Sequence, residues 1–85
     1  MPYIRQEKRH ALLPVADGPT TSGELNFAIT ALCVIYECAD GDERHYARLN
    51  EIVGALECAK LEFYRRMAAP FEDEAKARNG DVYPL

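Results

Sequence analysis

Seven residues set the frame for this chain. Tyr46, Leu49, Val53, Leu56, Lys60, Phe63 and Met67 follow one another at alternating steps of three and four. That spacing draws one stripe along a helix and is the spacing of a coiled-coil seam. It predicts a long helix that begins near Glu43 and runs to about Ala69, just before Pro70. Ile52, Ala55 and Ala59 widen the stripe. Lys60 interrupts it, and its ammonium either snorkels to the edge or faces an acidic partner. Glu62 and Arg66 stand four apart on the outer face, where opposite charges pair.

A second helix is announced by Thr21-Ser22-Gly23-Glu24. Thr21 can accept from the backbone three residues on while Glu24 reaches back, as in a capping box, with Ser22 as the other available cap. Leu25, Ile29, Leu32 and Tyr36 then form one face. Ala28 and Cys33-Val34-Ile35 make the segment apolar almost all round, so this helix is expected to be deeply buried or covered on two sides. Asp40-Gly41-Asp42 ends it, Gly41 being able to take the left-handed backbone that closes a helix. Ile4, Ala11 and Leu12 suggest a short helix within residues 3–13, broken by Pro14 and followed by a loop from Asp17 to Thr20. Pro70 either stops or kinks the long helix, or opens a new one as its first residue. Glu72, Asp73 and Glu74 suit the start of that last helix, Lys76 and Arg78 suit its end, and Asn79-Gly80 closes it.

The reading is one all-α domain over residues 1–85. A short helix and loop occupy 1–22, an antiparallel helical hairpin 23–69, and a short helix and tail 70–85. With 85 residues, 48% of them apolar, the chain is small for a single core. Cores of this size rarely supply more than about 3–5 kcal/mol. The first long helix also carries more apolar surface than one partner helix can cover. A homo-oligomeric bundle built on the hairpin faces is therefore expected.

Charge and composition narrow the function. Fourteen acidic residues against ten Lys and Arg give a net charge of −4, which argues against duplex nucleic acid as a partner. Basic residues nonetheless gather at Lys60, Arg65 and Arg66, with Arg44 and Arg48 upstream, and again at Arg5, Lys8 and Arg9. Cys33, Cys38 and Cys58 form no C-x-x-C, and His10 and His45 offer no closely spaced ligand pair, so buried thiols are expected and neither metal nor cofactor. No apolar run approaches the ~18 residues of a membrane span. The charged start lacks the apolar stretch of a signal peptide, so a cytoplasmic location is expected. No phosphate-binding loop or nucleophile arrangement is present, and His45 with Glu43 is an isolated acid–base pair. The chain reads as a binding protein, not an enzyme.

The candidate site is the cluster of Lys60, Tyr64, Arg65 and Arg66, joined by Asn26 near the start of the preceding helix. Arginine forks match phosphate oxygens and a tyrosine ring can stack on a base. The competing reading is a solvated helix flank with internal salt bridges, and for Asn26 and Glu24 simple helix capping. Asp81 and Tyr83 in the tail either dock on a neighbouring subunit or fray.

Several segments carry a family resemblance: the opening MPYI, Gly23-Glu-Leu-Asn26, residues 50–66 (NEIVGALECAKLEFYRR), residues 69–73 (APFED) and residues 79–83 (NGDVY). In these the chain resembles an uncharacterised family of short proteins of bacteriophages, prophages and bacteria. Phe27 and Phe71 stand where that family usually has tyrosine, and both changes remove a hydroxyl along with any role it has there. The resemblance implies a small phage-type helical protein and no particular activity. Combined with the basic and aromatic cluster, it leads to the expectation of a homo-oligomer that sequesters a small anionic, nucleotide-like ligand. A host immune signalling nucleotide in the host cytoplasm is one such ligand. The alternatives are a module that binds and inhibits a host defence protein, or a phage structural accessory protein.

Overall fold

In the computed structural model, described over residues 2–12, 18–39, 41 and 45–84, the chain is all helical wherever regular structure occurs. Helix α1 spans Gln6–Leu12, α2 Ser22–Cys38 and α3 Tyr46–Phe63. A π turn covers Tyr64–Ala68, and α4 covers Ala69–Asn79. The expected break at Pro14, the loop start at Asp17, the helix end at Asp40 and Asp42, and Glu43 and Arg44 lie outside the described residues.

The start of α2 follows the capping signal. The backbone N–H of Glu24 donates to the Thr21 hydroxyl oxygen at 3.1 Å. The Glu24 carboxylate reaches one residue further than a capping box requires, accepting from the N–H of Thr20 at 3.1 Å. Gly41 has φ 108°, in the positive range that favours glycine. Helix α3 starts at Tyr46, with His45 in extended conformation before it.

The largest departure from the sequence reading is at Pro70. No separate C-terminal helix forms, because α3, the π turn and α4 run on as one rod from Tyr46 to Asn79. A proline inside an α-helix loses one ladder hydrogen bond and drives its ring into the carbonyl four residues back. Here the helix widens just before the proline, and the N–H of Ala69 donates to the carbonyl of Tyr64, five residues back. The ladder is thus opened upstream of Pro70, which sits in the first turn of α4, where a missing N–H is harmless. The rod ends as expected: Gly80 has φ 90° and its N–H donates to the carbonyl of Lys76 at 2.8 Å.

Helices α2 and α3 meet beside their connection. The Tyr36 hydroxyl donates to Glu51 at 2.6 Å, and Arg48 Nε donates to the carbonyl of Tyr36 at 3.0 Å. The Arg48 guanidinium lies 4.1 Å from the Tyr36 ring centroid, a cation–π contact. Away from that end the apolar seams stand open. Among the described residues none is buried. Every apolar member of the α3 seam is exposed, and so are Leu25, Ile29 and Leu32. The expectation of buried thiols fails for the same reason: Cys38 and Cys58 are exposed and Cys33 half-buried, since a single chain closes no core over them.

Global dimensions agree. The radius of gyration is 17.3 Å, against about 12 Å for a compact domain of this length. The chain exposes 7961 Å², where a compact 9.6 kDa monomer exposes about 5,100 Å². No described helix is long and apolar enough to cross a membrane.

Candidate functional site

The π turn gathers the residues with the strongest chemistry and aims them apart. Arg65 turns toward Glu62, with Nη2 donating to Oε1 at 2.6 Å. The Tyr3 hydroxyl, from the N-terminal arm, donates to the same carboxylate. Arg66 Nη1 donates to the Tyr3 phenol oxygen at 3.4 Å, a long contact. The expected Glu62–Arg66 pair therefore does not form directly. Glu62 takes Arg65 instead, and the Tyr3 hydroxyl stands between Glu62 and Arg66, donating to one and accepting from the other. Hydrogen bonding from Tyr3 and Arg65, reinforced by the nearby guanidinium charges, holds the Glu62 carboxyl below its usual range.

Tyr64 turns to the other side of the rod and donates its hydroxyl to Glu72. Positions eight apart in a regular α-helix stand about 80° apart around the axis. The π turn takes in one extra residue, which brings position 72 nearly onto the face of position 64. The bulge that accommodates Pro70 is thus also what pairs Tyr64 with Glu72. That hydrogen bond, with the charges of Glu72 and Asp73, pushes the Tyr64 phenol above its usual pKa.

Behind Tyr64 the tail folds back over α4. The N–H of Tyr83 donates to Asp81 Oδ1 at 2.9 Å. A groove of about 510 Å³ results, lined by Tyr64, Glu72, Asp73, Lys76, Val82 and Tyr83. Its size suits a small molecule. Its charge does not suit an anion, because the carboxylates outnumber Lys76.

Lys60 points to solvent and pairs with Glu57 at 3.2 Å. Its side chain is 68% exposed, so the pair contributes little. Asn26 lies on α2, where the Thr30 hydroxyl donates to its carbonyl oxygen at 2.8 Å and approaches its side-chain oxygen at 3.3 Å. Among the described residues no hydrogen bond or ion pair links Asn26 to the rod cluster. One chain therefore joins Arg65 and Arg66 through Glu62 and Tyr3, and leaves Lys60, Tyr64 and Asn26 facing elsewhere.

Three participants were missed by sequence reasoning: Tyr3, Glu62 as the centre of the cluster, and Glu72. The Arg65 partner was within reach, since Glu62 precedes it by three. Tyr3 is 59 positions from Glu62, and no local periodicity connects them. Glu72 comes into register only through the π turn.

Of the three cations in the cluster, Arg66 is the one left open. Among the described residues it has no carboxylate within ion-pair distance, and most of its five donors are unused. An exposed guanidinium beside a phenol can hold an anion. No curated protein and no solved structure matches the chain. A family model does match, over residues 1–82, and the chain belongs to the family described as Domain of unknown function (DUF6899).

Proposed function

We propose that the chain assembles with copies of itself and holds a small anionic, nucleotide-like ligand at the subunit junctions, without catalysing a reaction on it. In the assembly α2 closes on α3 as a hairpin, and Asn26 of one subunit joins the Lys60–Tyr64–Arg65–Arg66 cluster. The observation that carries the reading is the open guanidinium of Arg66 beside the Tyr3 phenol. Nearby carboxylates already neutralise Lys60 and Arg65, so Arg66 supplies the positive charge that remains. If the chain is of phage origin, as its motifs suggest, a host immune signalling nucleotide in the host cytoplasm is a fitting ligand.

Calorimetric titration with cyclic di- and trinucleotides, and with linear mononucleotides as controls, tests this. Saturable heat that is lost in Arg66→Ala is the expected result. No heat with any of them, at protein concentrations well above micromolar, overturns it.

The exposed apolar seams favour a second reading, a module that engages a host protein through them. It requires a monomer or dimer that keeps a large apolar patch exposed in solution. A closed oligomer without such a patch counts against it.

A further inference from the structure

Helix α2 carries a second apolar seam on the side away from the first. At 100° per residue, Leu25, Ile29, Leu32 and Tyr36 cluster on one face. Tyr36 marks it as the face toward α3, through Glu51 and Arg48. Gly23, Phe27, Val34 and Cys38 fall about 180° away by the same geometry, with Ala31 at their edge. Phe27 is 73% exposed and Val34 54%. Among the described residues no element other than α3 packs on α2.

We infer that this back seam is an interface with a second copy of the chain, in which two α2 helices pair antiparallel across a two-fold axis near Ala31. The inference rests on the self-assembly part of the proposed function and specifies its geometry. Two observations support it. The chain exposes 7961 Å², about 2,900 Å² more than a compact chain of its mass. A standard interface covers only ~800 Å² per partner, so more than one apolar face needs covering. Next, Phe27 and Val34 are equidistant from the middle of the seam. An antiparallel two-fold pair therefore sets each Phe27 against the partner copy's valine, large against small, while Ala31 at the centre lets the helices approach. A parallel pair sets like on like. Asn26, beside the seam, then lies at the rim of a subunit junction.

Two single-cysteine proteins test this: Phe27→Cys and Val34→Cys, each in a chain whose Cys33, Cys38 and Cys58 are replaced by alanine. Within one α2 these positions are about 10 Å apart along the axis, too far for an internal disulfide. After unfolding, mixing, refolding and mild oxidation, the mixture is expected to give at least tenfold more covalent dimer than either protein alone. Equal cross-linking of each protein with itself, or no cross-link in the mixture, overturns the proposal. Sedimentation velocity supplies a second reading: wild type is expected as an even-numbered oligomer, and a wild-type monomer at 100 µM also overturns it. These outcomes are separable from the ligand question. A cross-linked protein that takes up no nucleotide sinks the ligand reading alone, and a monomer that takes up nucleotide sinks this interface alone.

Discussion

Helix α2 and the α3–α4 rod use the same helical backbone and solve opposite problems. The rod pairs charged and polar groups along its own length. Glu57 pairs with Lys60, Glu62 with Arg65, and Tyr64 with Glu72. Helix α2 has charged residues only at its two ends, Glu24 and Glu37, and between them presents apolar side chains in nearly every direction. Paired charges suit one side of the rod to water and leave it one apolar stripe to cover, whereas an all-round apolar helix needs cover on more than one side. On the proposed reading, α2 carries the interface with a second copy and the charged side of the rod presents chemistry at its surface.

The sharpest way to break this contrast is to trim α2. Leu32→Ala is expected to cost about 2–4 kcal/mol if its face is packed in the assembly, and within about 0.5 kcal/mol if that face stays in water. Denaturant midpoints distinguish the two, and the larger value is expected. The rod can be probed at Pro70. Pro70→Ala restores the N–H and removes the reason for the π turn, and because the proline already sits where its missing N–H is harmless, the stability change is expected to stay within about 1 kcal/mol. In the same variant Tyr64 swings away from Glu72, and its phenol should titrate near its ordinary value, read from tyrosinate absorbance. A Tyr64 titration that stays unchanged would separate the proline from the register change.

Smaller effects test the ends. Thr21→Ala removes the cap on α2 and is expected to cost about 1 kcal/mol, measured by thermal unfolding. The pH dependence of the N-terminal arm is smaller still. The Glu62 carboxyl is held below its usual range by Tyr3 and Arg65. Its contribution is therefore complete above the ordinary carboxylate pKa of about 4.3, and is lost as pH falls through the depressed value. Proteolysis at Arg5 or Lys8 is expected to accelerate across that acid window in wild type, and to be fast at all pH in Tyr3→Phe. Tyr64 has the opposite sign. Its raised pKa means its contribution is complete below about pH 10 and fades as pH rises through the folded value.

Much of this could be read from the sequence because it is local. The Thr21 cap, the α2 face, the seam of the long helix and the Gly80 stop all depend on neighbours within a turn or two. Pro70 was legible as a stop, a kink or a new start, and which of these occurs depends on five residues upstream adopting an uncommon winding. The candidate site divides in the same way. Lys60, Tyr64, Arg65 and Arg66 are visible as a run of cations and an aromatic on one segment. Their directions are set by the π turn and by an arm from the far end of the chain.

By itself, then, the sequence determined that this protein is helical, where α2 starts, where the rod stops, and that α2 carries more apolar surface than one neighbour can cover. Those properties follow from side-chain period and backbone chemistry within a few residues. Only the tertiary structure decided that the rod passes through Pro70, that Tyr64 reaches Glu72, and that Tyr3 sits between Glu62 and Arg66. These contacts join residues eight to 63 positions apart, and they depend on the π turn or on the return of the N-terminal arm, neither of which a regular side-chain period encodes.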